Sequence, residues 1–121
     1  MRWEELTYPD FEKAVQTCQG VGLVPVGVIE PHSAHLPLGT DMMAFHWIAC
    51  RAADREPVLV FPPYGLGVNH EGMHQPGAVV IKRDVIFALL ENICEEMARN
   101  GLKKIILTSG YGGNRYLLPL L

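Results

Sequence analysis

The sequence predicts an α/β fold with a mostly parallel sheet, and three observations carry that prediction. Helical and strand-like segments alternate along the chain. The strand-like segments are short continuous apolar runs, as expected of strands buried on both faces. The composition is 49% apolar and 19% charged, without repeats or low-complexity tracts, which fits a single domain over residues 1–121. A chain of this length buries a core without disulfides.

Pro9 suits a first helical turn, and Phe11, Ala14, Val15 and Cys18 then recur at helical spacing up to Gly20. Leu23–Ile29 is too short for a helix and reads as a buried strand. Thr40 is placed to cap a helix from about Asp41 to Ala53. Val58–Phe61 is a second strand, stopped by Pro62-Pro63. A long loop, Tyr64 to Gly77, leads to a third predicted strand, Ala78–Ile81. Val85, Ile86, Leu89, Leu90, Ile93, Cys94 and Met97 then form one apolar helix face, which Asn100-Gly101 closes as a left-handed cap. Lys104–Thr108 is the fourth strand, entering the turn Ser109-Gly110-Tyr111-Gly112-Gly113-Asn114. Tyr116, Leu117, Leu118, Leu120 and Leu121 read as the opening of another helix, with Pro119 inside the pattern. Apolar surface so placed predicts that this is the N-terminal part of a larger fold, the patch being covered by further sequence or a partner.

The bulk numbers also exclude function classes. A net charge of -3 with no basic cluster gives no basis for nucleic-acid binding. Met1–Glu5 lacks the apolar region of a signal peptide, and no apolar run reaches the length of a membrane span. The expectation is a soluble, cytoplasmic protein. Cys18, Cys50 and Cys94 are far apart, lack C-x-x-C spacing and read as buried thiols without chemistry.

Chemistry concentrates in Glu30-Pro31-His32-Ser33-Ala34-His35-Leu36-Pro37-Leu38-Gly39-Thr40-Asp41, just after the first strand. Its carboxylates and imidazoles suit a borderline divalent cation such as zinc or manganese, with iron also compatible. In extended backbone Glu30 and His32 point to the same side, and Asp41 at the mouth of the next helix can return to them. Taken singly, Asp41 is a carboxylate at a helix start and His32 and His35 are loop histidines; together, in a loop stiffened by Pro31, Pro37 and Gly39, they read as a metal site.

His70-Glu71-Gly72-Met73-His74 matches the letters of H-E-x-x-H, but Gly67 and Pro76-Gly77 flank it and argue against the helix that zincin chemistry needs. His35, His70 and Glu71 remain candidates for substrate or outer contacts. The turn at 109–114 lacks the third glycine of a dinucleotide fingerprint, because Arg115 stands there, and lacks the Gly-Lys ending of a P-loop. It reads as a tight glycine-rich turn beside the site, with Tyr111 and Asn114 as candidate contacts.

Pro25-Val26-Gly27-Val28-Ile29-Glu30-Pro31-His32-Ser33-Ala34-His35-Leu36-Pro37-Leu38-Gly39-Thr40-Asp41 resembles the first block, P-V-G-S-x-E-Q-H-G-P-H-L-P-L-G-T-D, of the creatininase family of metal-dependent amidohydrolases. Gly67 through Ala78 resembles the family's second block, ending like F-P-G-T, and Ser109–Asn114 resembles N-G-H-G-G-N. The resemblance implies a three-layer α/β/α fold with a two-metal site at the carboxyl ends of the strands. By position, Glu30 would bind one metal, His32 the other, and Asp41 would bridge them. It also implies hydrolysis of a cyclic or linear amide by a metal-activated water, and assembly as a homohexamer.

Two departures qualify this. Tyr111 stands where the family has a metal-binding histidine, and a phenol with a pKa of about 10 is a poor neutral ligand. Gly113 stands where creatininase itself has a glutamate ligand, although many relatives also have glycine there. A single-metal site of three ligands plus water is physically reasonable. The rival expectation is a degenerate, non-catalytic subunit or binding module.

Overall fold

Val21–Val26 (β1) is the middle strand of a three-stranded, all-parallel sheet, flanked by Leu59–Val60 (β2) and Lys104–Ser109 (β3). The structure, a computed structural model, describes all residues from Met1 to Leu121. Successive strand side chains point to opposite faces, and β1 uses both. Val24 and Val26, with Leu59, join a cluster with Ala14 and Cys18 from Tyr8–Thr17 (α1) and its cap, and with Ile86, Leu90 and Met97 from Arg83–Arg99 (α3). Val21 and Leu23 pack instead on a smaller cluster in which Val60 meets Ala49 and Cys50 of Thr40–Ala53 (α2). The result is the expected three layers, with α1 and α3 on one face and α2 on the other. Leu59, Ile86 and Leu90 are fully buried, each worth about 1.5–3 kcal/mol relative to exposure. No helix is long and apolar enough to cross a membrane.

Both core-facing helices end in the same way. After α3, Gly101 takes φ +97° and Leu102 N–H donates to the Met97 carbonyl at 3.1 Å. This closes the reverse turn that satisfies the last carbonyls, and Leu102 and Met97 join the same core. After α1 the corresponding bond runs from Gly20 N–H to the Val15 carbonyl at 2.9 Å, and the left-handed position is held by Gln19 at φ 52°.

Several sequence expectations are corrected. The first strand spans Val21–Val26 rather than Leu23–Ile29. It leaves the sheet at Gly27 because α2 begins directly against it; a Cβ there would lie 2.7 Å from Met42 backbone atoms. Val58–Phe61 shortens to two paired residues. Ala78–Ile81 forms no strand, contributing one sheet-like bond from Val79 N–H to the Ile29 carbonyl at 3.0 Å. That bond lies beyond the end of β1, and the segment pairs with neither edge strand, β2 or β3. Thr40 is not the cap: Gly39 occupies that position, and the Thr40 hydroxyl donates to the Pro37 carbonyl at 2.6 Å. The last residues form two short 3-10 turns, Gly112–Tyr116 and Leu118–Leu120, rather than the opening of an α-helix.

The connections place the site. β1 continues through α2 to β2 on one side, and α3 then crosses back to β3 on the other. Chains leaving neighbouring strands toward opposite faces open a crevice at the carboxyl ends, where α/β sheets bind ligands.

Candidate metal centre

Beyond Gly27 the chain runs through Val28 and Ile29, outside the sheet, and delivers Glu30 and His32 to that crevice. Glu30 N–H donates to the Leu38 carbonyl at 3.0 Å, closing the loop so that Gly39 can start α2 and Asp41 falls in its first turn. The partial positive charge of a helix start faces Asp41 there. Glu30, His32 and Asp41 each offer one ligand atom, and these atoms all lie within 4.8 Å of one another. All three side chains are half-buried.

The hydrogen bonds fix the protons. His32 Nδ1 lies 3.0 Å from the Glu30 carbonyl oxygen, which only accepts, so Nδ1 carries a hydrogen. Nε2 lies 3.0 Å from Asp41 Oδ1. A neutral ring would turn its Nε2 lone pair toward a carboxylate, a repulsive contact that a second proton or a cation makes attractive. The backbone hydrogen bond to Glu30 is the main cause holding the His32 pKa above its ordinary value, with the Asp41 carboxylate adding to it against burial. Burial, followed by Asp41, raises Glu30 above the usual carboxylate range, and His32 partly opposes this.

Asp41 Oδ2 is buried and has no hydrogen-bond partner. Such an atom costs about 1–3 kcal/mol unless something satisfies it. A divalent cation fits each of these features. It would meet the Nε2 lone pair, occupy the orphaned oxygen and neutralise two carboxylates. Ligand atoms around tetrahedral zinc stand roughly 3.3 Å apart, from bond lengths of about 2.0–2.1 Å, close to the His32–Asp41 spacing already present.

The other candidates lie around this core rather than in it. His35 is exposed in the loop. His70 and Glu71 are exposed on a 3-10 turn, His70–Gly72, with His74 beyond it, so the H-E-x-x-H letters form no zincin helix. Glu71 acts on Glu30 only through its charge. Asn114 is fully buried; its Oδ1 accepts from Val68 N–H at 3.0 Å, and its Nδ2 donates to the Val26 carbonyl at 3.4 Å. It pins the 64–69 loop to β1.

Tyr111 N–H donates to Ser109 Oγ at 3.1 Å, and its ring folds back over Gly113. A Cβ at 113 would lie 2.5 Å from Tyr111 Cε1. Tyrosine at 111 therefore depends on glycine at 113, since its ring fills the space a side chain there would need. Sequence reasoning missed Asn69, which is fully buried beside Glu30 and donates through Nδ2 to the Ile29 carbonyl at 3.1 Å.

A cavity of about 630 Å³ lies elsewhere, between Tyr8, Phe11 and Val15 of α1 and Arg99–Gly101. It sits at the end where strands begin and gathers no set of metal-ligating groups, so the donor cluster, not concavity, identifies the site.

The chain is similar to known proteins in both sequence and fold. The creatininase family, described as creatinine amidohydrolase, matches residues 4–121. Creatinine amidohydrolase of Pseudomonas putida is 28% identical over 115 residues, covering 91% of this chain and 44% of its own. The mycofactocin precursor peptide peptidase of Mycolicibacterium smegmatis is 39% identical over 104 residues, 76% of this chain and 39% of its own. Solved structures of a Zn-Zn type mutant creatininase and of a Mn creatininase are both 27% identical, with TM-scores of 0.86 and 0.82. Each match covers 98% of this chain and 48% of the solved one. The chain thus spans less than half the length of the relatives it matches.

Proposed function

The chain belongs to the creatininase family, and from that premise we propose that it acts as a metal-dependent amidohydrolase, cleaving a cyclic or linear amide C–N bond with water. The observation that carries the proposal is the convergence of Glu30, His32 and Asp41 donor atoms within 4.8 Å. The names of the relatives support the reaction class, one acting on creatinine and one on a precursor peptide. The zinc and manganese forms of the solved creatininase structures support the choice of cation, and iron suits the same donors.

A cation bound there would supply Lewis acidity to polarise the amide carbonyl and would make water acidic enough to react near neutral pH. The chain's residues supply the rest. His32 keeps its proton on Nδ1, tied to the Glu30 carbonyl, and so leaves Nε2 free as a ligand. Glu30 and Asp41 provide the two negative charges that a divalent ion neutralises. With Tyr111 folded against Gly113, this chain offers one three-donor group, which favours a single ion.

The test is hydrolysis of creatinine and of short peptides by zinc- or manganese-loaded protein. Turnover that requires the metal and disappears in Asp41→Asn supports the proposal. Folded, metal-loaded protein that cleaves neither class overturns it, and favours the second reading, a non-catalytic metal-binding subunit. Tyr111, folded over Gly113, favours that second reading. Homo-oligomeric assembly, as a hexamer, and a cytoplasmic location belong to the same proposal. The three free thiols support a reducing compartment, and light scattering tests the assembly.

A further inference from the structure

We propose that Asn69 is a positioning residue for the metal centre, its carboxamide clamping the Ile29–Glu30 segment so that the Glu30 carboxylate stays turned toward His32 and Asp41. This rests on the metal reading above. Asn69 has no exposed surface, and its Nδ2 donates to the Ile29 carbonyl at 3.1 Å. A carbonyl only accepts, so this bond sets which way the amide faces. The residue it holds is the immediate chain neighbour of Glu30, so the bond fixes the backbone from which that carboxylate projects.

Asn69 also precedes the His70–Gly72 turn, its backbone carbonyl accepting from Gly72 N–H at 3.0 Å, and that turn lies against the same carboxylate: a Cβ on Gly72 would sit 3.5 Å from Glu30 Oε2. One side chain therefore ties the strand extension carrying Glu30 to the loop that walls it. Asn69 Oδ1 is buried and has no partner, so the amide is poorly explained as a stabilising element alone. The cost of keeping it makes sense if its donor positions the ligand.

The design of the test follows from the Ile29 carbonyl, which also accepts from Val79 N–H at 3.0 Å. Asn69→Leu, close in size, leaves that carbonyl satisfied and removes the orphaned Oδ1. The metal-free variant is expected to melt within about 3 °C of wild type. Its zinc affinity, measured by calorimetric titration, is expected to fall about 10–100-fold, as for other residues that orient ligands. Unchanged zinc affinity in a folded variant overturns the proposal while leaving the metal site intact. A wild-type chain that binds no zinc overturns the metal reading, and this inference with it.

Should Asn69→Leu fail to fold, the wild-type side-chain amides decide. In ¹⁵N-labelled protein titrated with zinc, the Asn69 NH₂ signals should shift in step with binding while those of Asn114 stay fixed. Asn69 signals that do not move refute the role.

Discussion

Asp41→Asn separates the metal's contribution from the fold's. The substitution keeps the shape of the side chain but removes the charge that faces His32 Nε2 at 3.0 Å. In metal-free protein two effects oppose each other. Losing a charge-assisted hydrogen bond costs about 1.5–3 kcal/mol, while a neutral amide is cheaper to bury than a carboxylate with an unpartnered oxygen and can donate to a neutral Nε2. The metal-free melting temperature should therefore move by only a few degrees. The response to metal should change completely. Zinc at a hundredfold excess over its Kd stabilises the wild-type fold by about 2.7 kcal/mol. For 121 residues, an unfolding entropy of about 2.1 cal/mol/K per residue gives roughly 0.25 kcal/mol/K. The wild type should accordingly melt about 10 °C higher with zinc than with chelator in differential scanning calorimetry, and Asp41→Asn should show no difference. Equal zinc-induced shifts in the two proteins would refute the argument that Asp41 is a ligand.

Two further predictions concern pH and stability. Both His32 and Glu30 have pKa values raised in the folded state, so each contributes stability below its unfolded pKa that is lost as pH rises through the folded one. In chelator, the His32 contribution is complete below about pH 6.5 and declines above it; with zinc the sign reverses, because the Nε2 proton competes with the ion. The zinc-induced increment in melting temperature should grow from pH 5 to pH 8, and an increment independent of pH would contradict the assignment. Gln19→Gly, at φ 52° in the reverse turn after α1, should stabilise the chain by about 1 kcal/mol, or about 4 °C in a thermal melt. A lower melting temperature would mean that the Gln19 side chain is held by contacts worth more than the strain.

The layered fold was legible in the sequence because its signals are local. The apolar run ahead of Glu30, the helical face from Val85 to Met97 and the Asn100-Gly101 stop each declare themselves within one element. Ala78–Ile81 misled because its strand-like composition says nothing about partners, and it bonds only to Ile29 beyond the end of β1 rather than to an edge strand. The end of β1 was misplaced for a related reason: only the packing of α2 onto Gly27 turns the chain out of the sheet.

At the site, Glu30, His32 and Asp41 were readable because donors crowd into twelve residues. Asn69 was not, since an asparagine in a glycine-rich loop looks like any turn residue until its burial beside Glu30 is seen. The coupling of Tyr111 to Gly113 was likewise invisible. The dependence of one position on the other emerges only when the ring is found over the glycine.

The most direct test of the central claim is elemental analysis of the purified chain after loading with zinc or manganese and extensive dialysis. Retention of about one ion per chain, lost in Asp41→Asn, is the predicted result. Protein that is folded by circular dichroism yet retains no divalent metal would contradict the claim that Glu30, His32 and Asp41 form a metal centre.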